Sequence, residues 1–241
     1  MTALVIDFAG KSVVITGGTG GIGLGLARAF AAAGAAVTAT GATGAEVEAA
    51  GTVPGVAFAS LDVRSDASVA AFAAGFARLD ALVNCAGVNL RAAELTPEGF
   101  ATVVDINLNG SMRTAYAFRE KLKGGGAILN LASMFSFFGA PHAPGYAASK
   151  GGVAQLTKSL AIAFAGDGIR VNALAPGWIE TPMTVVPRGN PARSAELVGR
   201  TPMGRWGTPD DLTGPALFLC SPLAGFVTGA ILPVDGGYMV A

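Results

Sequence analysis

The chain has 241 residues, enough for one large domain, and 51% of them are apolar, so a sizeable core is available. Only 13% are charged, and 16 Lys and Arg balance 16 Asp and Glu, which leaves no electrostatic case for nucleic acid or an acidic membrane surface. The two cysteines, Cys85 and Cys220, and the single His142 lack metal-ligand spacing. No metal site is therefore expected, and each cysteine reads as a small buried hydrophobe.

From the N-terminus, no basic stretch precedes the short apolar run that Asp7 interrupts, so no secretory leader is expected. A reducing cytoplasm is the expected compartment. Val13 to Thr16 reads as a first strand, Ile22 to Ala33 as a helix, and Ala36 to Thr40 as a second strand. Val56 to Ser60 is a short third strand, followed by a helix over Ala67 to Arg78. Ala81 to Asn84 is a fourth strand, Phe100 to Leu122 one long helix, and Ala127 to Ala132 a fifth strand. Gly124-Gly125-Gly126 marks a helix-to-strand turn. Tyr146 to Ala165 is a helix, Arg170 to Ala175 a sixth strand, and Ala230 to Val234 a seventh. Trp178 to Gly207, rich in Pro, Gly and Arg, reads as a loop with one short helix, placed above the carboxyl edge of the sheet where ligands bind. Leu212 to Val234 carries no charge and is long enough to span a bilayer, but Pro215, Pro222, Pro233, Gly214, Gly225 and Gly229 break it. It reads as a helix, a turn and a buried strand. Apolar strands alternating with helices imply crossovers, and so a doubly wound α/β fold with a seven-stranded parallel sheet covered on both faces. No linker or repeat divides the chain, so residues 1–241 are expected to form one unit with a substrate loop at 178–207.

Thr16-Gly17-Gly18-Thr19-Gly20-Gly21-Ile22-Gly23 lies between the first strand and the first helix. Glycines there allow a tight turn and close backbone approach to a pyrophosphate, which the helix N-terminus attracts. Tyr146 and Lys150 stand about one helical turn apart, and Ser133 lies upstream. An ordinary phenol titrates near ~10. A cation on the same helix face would lower that value and fit the phenol for proton exchange, and a serine hydroxyl could hold a substrate oxygen.

Taken together these residues resemble the short-chain dehydrogenase/reductase family. Gly17, Gly21 and Gly23 form its Thr-Gly-x-x-x-Gly-x-Gly pattern, and Asn84-Cys85-Ala86-Gly87 its Asn-x-Ala-Gly. Asp62-Val63, Asn107, Ser133, Tyr146, Lys150, Pro176-Gly177 and Val234-Asp235-Gly236-Gly237 follow in the family's order, across essentially the whole chain. The resemblance implies a Rossmann-type fold and hydride transfer between a nicotinamide and a carbinol or carbonyl carbon. It assigns Tyr146 as acid–base, Lys150 as the group that lowers the phenol's pKa and holds the nicotinamide ribose, and Ser133 as the residue that orients the substrate oxygen. Asn107 would support a water between Lys150 and solvent; its other reading is an asparagine that bends its helix through local bonds. The implied cofactor contacts are Gly17, Thr19, Gly21, Ile22, Gly23, Gly41, Asp62, Val63, Asn84, Ala86, Gly87, Tyr146, Lys150, Pro176, Gly177, Ile179 and Thr181.

The family's selector between NAD and NADP is a carboxylate at the end of the second strand, where this chain has Gly41. No Arg or Lys follows it or stands at Gly20, and Thr40 and Thr43 could bond a ribose or a phosphate. Either cofactor fits, with the balance toward NADP because no carboxylate opposes a 2′-phosphate. Around the site, Phe135, Phe137, Phe138, Trp178 and Met183 could line an apolar substrate pocket, and Phe137 or Phe138 equally a core or subunit interface. Gly139 and Pro141 shape that loop, while His142 and Arg91 are either substrate contacts or solvated surface residues. The cluster Arg119, Lys121 and Lys123 fits a helix C-terminus as well as an acidic carrier protein.

The expected substrate is a small-molecule secondary alcohol or ketone: a 3-oxoacyl-acyl-carrier-protein, a cyclic ketone, a polyol or a sterol. The alternatives are a non-catalytic dinucleotide-binding regulator and an epimerase or dehydratase on the same fold. The resemblance also implies a homo-oligomer, commonly a tetramer, formed through helix faces and the C-terminal strand.

Overall fold

Strand β1 (Ser12–Thr16) lies at the centre of a parallel sheet in the computed structural model, which describes residues 6–241. It is flanked by β2 (Ala36–Gly41) and β4 (Ala81–Asn84), with β3 (Val56–Ser60) outside β2. Beyond β4 come β5 (Ala127–Leu131), β6 (Arg170–Pro176) and β7 (Ile231–Val234). The order is β3-β2-β1-β4-β5-β6-β7, and the direction of winding reverses between β1 and β4. In such sheets a crevice opens at the carboxyl ends of the two strands that flank the reversal.

The period of two along each strand builds two cores. Val13 and Ile15 pack with Leu26 and Phe30 of α1 (Gly21–Ala32) and Leu219 of α9 (Thr213–Cys220). Val14 between them joins the opposite cluster, with Phe118 and Leu122 of α5 (Gly110–Leu122) and Leu160 and Phe164 of α6 (Pro144–Phe164). The remaining helices are α2 (Gly44–Ala50), α3 (Asp66–Ala74), α4 (Pro97–Val104), α7 (Val185–Gly189) and α8 (Pro191–Gly199).

Four local features depart from the sequence reading. The expected helix over Phe100 to Leu122 forms without interruption but carries a π-helical turn at Asp105–Asn109, between α4 and α5, which holds Asn107. Just after this turn the chain passes close to the segment after β3, since a Cβ at Gly110 would lie 2.7 Å from Val63 Cγ2. Helix α2 forms where none was expected, with Thr43 as its N-cap accepting from Glu46 N. The 178–207 segment holds two helices, with Pro182 opening a short turn ahead of α7, and Pro191 starting α8 behind an Asn190 cap. The final strand is not buried: β7 is the sheet edge, and Leu232 and Pro233 are exposed. Among the described residues, no helix is long and apolar enough to cross a membrane, and no group of three His, Cys, Asp or Glu could hold a metal ion.

Candidate active site

A cavity of about 630 Å³ occupies the crevice at the ends of β1 and β4. Its dinucleotide-shaped end is made by the glycine turn. Thr16 Oγ1 accepts from Cys85 N and Ala86 N, both at 3.2 Å, and locks the two strand ends side by side. A Cβ at Gly17, whose φ is +64°, would lie 2.6 Å from Ala86 Cα, and one at Gly23 would collide with the Gly17 carbonyl. Only glycine lets the turn, the second strand end and α1 approach this closely. Helix α1 starts at N-cap Gly20 with no side-chain cap, so its first N–H groups are left for an anion. This bare helix start above a glycine cradle fits a pyrophosphate.

The predicted Gly17, Thr19, Gly21, Ile22 and Gly23 line this end, with Asp62 and Val63 after β3. Ala86, Gly87, Pro176, Gly177, Ile179 and Thr181 line the remainder, together with Ser133, Tyr146 and Lys150. Three predicted residues lie outside the lining. Asn84 points into the core, where it donates to Asn130 Oδ1 at 2.9 Å and accepts from Thr114 Oγ1 at 2.7 Å. Gly41 is buried beneath Thr19 and Glu46. Asn107 is 1% exposed and faces the loop after β4. Its Oδ1 accepts from Val88 N at 2.8 Å, while Nδ2 donates to Val88 O and Ser149 Oγ, each at 3.0 Å. These partners lie 19 and 42 residues away in the chain, so the bonds are not the local ones of a helix-bending asparagine; they tie the loop after β4 to α6. Thr40, expected to reach a ribose or phosphate, is buried with its hydroxyl unpartnered, and Thr43 serves α2.

Ser133 sits at the end of β5 as the N-cap of a short helical turn. Its Oγ accepts from Phe135 N at 3.2 Å, which leaves its O–H to donate. Ser136 in the same turn donates to Lys150 O at 2.7 Å and ties the turn to α6. Lys150 Nζ donates to Leu131 O at 2.6 Å and lies 5.6 Å from the Tyr146 ring centroid. Burial sets both titrations. It pushes Tyr146 up to about 12, with the adjacent Ser133 hydroxyl pulling back, and pushes Lys150 down to about 8. For the phenol, desolvation is the largest cause and the Ser133 hydroxyl the one that opposes it.

Several residues at the site went unread in the sequence. Glu94 is only 1% exposed, yet it is a carboxylate. Oε2 accepts from Tyr146 N and Oε1 from Leu90 N, both at 2.7 Å. α6 has no cap of its own, so Glu94 fills that place from a separate loop and fixes the backbone that carries Tyr146. Its only sequence signal is a charge within Ala92-Ala93-Glu94-Leu95. Glu46 and Arg64 also line the cavity at its far end. Phe135, Phe137, Phe138 and Trp178, expected in the substrate pocket, lie outside the cavity lining; behind Tyr146, Phe135 stands edge-on to it at 6.2 Å and to Trp178 at 6.0 Å, and Trp178 meets Trp206 at 5.8 Å. Phe137 and Phe138 are both exposed, Phe138 with its ring 6.3 Å from that of Tyr238.

Met183 lines the cavity, while Arg91 is exposed and outside the lining and donates from Nη2 to Met183 O at 3.0 Å. Arg91 is the one non-glycine residue with positive φ among the described residues, at +54°. Such backbone costs of order 1 kcal/mol or more and persists where its surroundings impose it. His142 is exposed and outside the lining. Of the basic cluster, Arg119 and Lys123 are paired with Asp167, in keeping with a helix C-terminus.

Known proteins share this architecture. A family model described as enoyl-(acyl carrier protein) reductase matches residues 17–239. A 2-dehydro-3-deoxy-D-gluconate 5-dehydrogenase of Pseudoalteromonas atlantica is 41% identical over 95% of this chain and 96% of its own. A galactitol 2-dehydrogenase (L-tagatose-forming) of Cereibacter sphaeroides is 41% identical over 96% of each chain. The crystal structure of a gluconate 5-dehydrogenase from Burkholderia cenocepacia, in complex with NADP and tartrate, superposes with a TM-score of 0.90 at 36% identity over 98% of both chains.

Proposed function

Because the chain belongs to the short-chain dehydrogenase/reductase family, and so is an NAD(P)-dependent oxidoreductase acting on CH–OH groups, we propose that it oxidises or forms a secondary alcohol that also carries a carboxylate. The observation that carries this reading is Arg91, an exposed guanidinium with a left-handed backbone that donates to the carbonyl of the cavity-lining Met183. Arg presents paired donors that match a carboxylate. Val88, Ile179, Pro182 and Met183 supply an apolar lining against which a carbon skeleton packs, and Phe135, Trp178 and Trp206 pack outside that lining. Relatives named for gluconate derivatives agree with a sugar acid; the galactitol enzyme marks the neutral polyol as the competing substrate.

In this reading Tyr146 exchanges a proton with the substrate oxygen and Ser133 donates a hydrogen bond that orients that oxygen. Lys150 holds the cofactor ribose and, as a cation, favours the phenolate. Asn107 and Glu94 are positioning residues for the loop after β4 and for α6. The glycine turn, Asp62-Val63, Ala86-Gly87 and Pro176 to Thr181 would hold the dinucleotide, which when bound supplies or accepts the hydride. The 178–207 segment is the substrate loop of a single catalytic unit. A homo-oligomer, a tetramer in the family's usual form, is supported by apolar side chains left outside the protomer, among them Ile162, Phe226 and Leu232. A reducing cytoplasm is supported by the free Cys85 and Cys220.

The test follows absorbance of the reduced nicotinamide with hydroxy acids, their neutral polyol counterparts and cyclic alcohols, for wild type and Arg91→Leu. The expected result is a KM about tenfold higher in the variant for carboxylates alone, the scale of one lost charged hydrogen bond. Equal KM values for acids and polyols in both proteins would overturn the carboxylate assignment.

A further inference from the structure

We infer that Glu46 makes this enzyme select NAD over NADP, doing from α2 what a carboxylate at the end of β2 would do. The inference rests on the oxidoreductase reading above. Position 41 itself has no room for an acid, since a Cβ on Gly41 would come within 2.9 Å of Thr19 Cγ2 and of Glu46 Cβ. The carboxylate arrives from the next helix instead. Thr43 caps α2 by accepting from Glu46 N at 3.2 Å, and Glu46 Oε2 accepts from Ala42 N at 2.9 Å. These two bonds turn the carboxylate back over the strand end, and Glu46 lines the cavity beside Thr19, Gly20 and Gly21.

A 2′-phosphate needs N–H donors and positive charge. At this strand end the Ala42 N–H is already given to a carboxylate. Arg64, a cation of the cavity lining, is neutralised by Asp62, with Nε and Nη2 donating to the two carboxylate oxygens at 2.9 and 2.7 Å. The charge left uncompensated there is negative. A ribose 2′-hydroxyl, in contrast, can donate to the remaining lone pairs of Glu46. That a relative carries NADP leaves the choice to individual side chains rather than to the fold. Glu46 is exposed, so solvent screens the repulsion, and about a tenfold difference in affinity is expected, not several orders of magnitude.

Calorimetric titration of the purified protein with NAD+ and NADP+, without substrate, tests this. Wild type is expected to bind NAD+ about tenfold more tightly. Glu46→Gln keeps an acceptor for Ala42 N–H and removes the charge, so it should tighten NADP+ and weaken NAD+, shifts of opposite sign. A merely structural role would weaken both alike, and that outcome, or a wild type that prefers NADP+, would overturn the inference. An unchanged thermal midpoint of the variant verifies its fold. If wild type bound neither dinucleotide, the oxidoreductase reading would fall, and this inference with it; a wild type that bound NADP+ preferentially would sink the inference alone.

Discussion

Two buried charges show how the site is built at the level of single residues. Glu94 accepts two backbone N–H bonds from separate segments, so Glu94→Ala strands both donors. Each unmet buried donor costs about 1–3 kcal/mol, and the loss should appear as a lower thermal midpoint together with a lower kcat. Glu94→Gln, which retains only one side-chain acceptor, should fall between wild type and alanine. Lys150 carries the opposite penalty. Its folded pKa of about 8 lies below the ordinary lysine value of 10.5, so unfolding takes up a proton between those two values. Wild-type stability therefore rises with pH through that window, and the penalty is fully present below about 8. Lys150→Met should unfold at higher denaturant than wild type at neutral pH, by about 2 kcal/mol once the lost bond to Leu131 O is subtracted. That advantage should fade as the pH approaches 10.5; a constant difference across the range would show that the burial penalty is not the cause. Such residues were only partly legible in the sequence. Tyr146, Lys150 and Ser133 announced themselves through spacing on a helix and a strand end. Glu94 and Glu46 did not, because each acts on backbone groups that only the folded loops bring near.

At the scale of elements, the strands were legible because period-two and continuous apolar runs survive in one dimension. The π turn was not. Phe100 to Leu122 keeps a helical pattern of apolar residues, and the widened turn lies beside Gly110, which passes close to Val63 in a contact between distant segments. Asn107 in that turn replaces backbone bonding for Val88. Asn107→Ala should lower stability by roughly 2 kcal/mol, with both Val88 groups left unmet. Hydrogen exchange would then quicken in the loop after β4 ahead of β1 or β5. Uniform exchange across the sheet would argue against a local pin. The α2 helix was missed for a related reason: it is short, opens at a glycine, and takes its stability from the Thr43 cap rather than from an apolar face.

Across the whole molecule, the sheet order places the glycine turn and the end of β4 on either side of the winding reversal, and β5 and α6 bring Ser133, Tyr146 and Lys150 to the same cavity. The edge position of β7 could not be read from its composition, since an edge strand covered by a second copy is as apolar as an interior one. Its exposed Leu232, with Phe226 and Ile162, should lie in an interface. Phe226→Asp together with Leu232→Glu should lower the mass seen by light scattering, while a wild-type monomer would remove that assignment. The claim on which the rest turns is that the Tyr146 hydroxyl moves the substrate proton, and the most direct measurement is turnover of Tyr146→Phe beside its dinucleotide affinity. The account requires kcat to fall by about a thousandfold while the dissociation constant stays within roughly twofold. Turnover near the wild-type rate would contradict it.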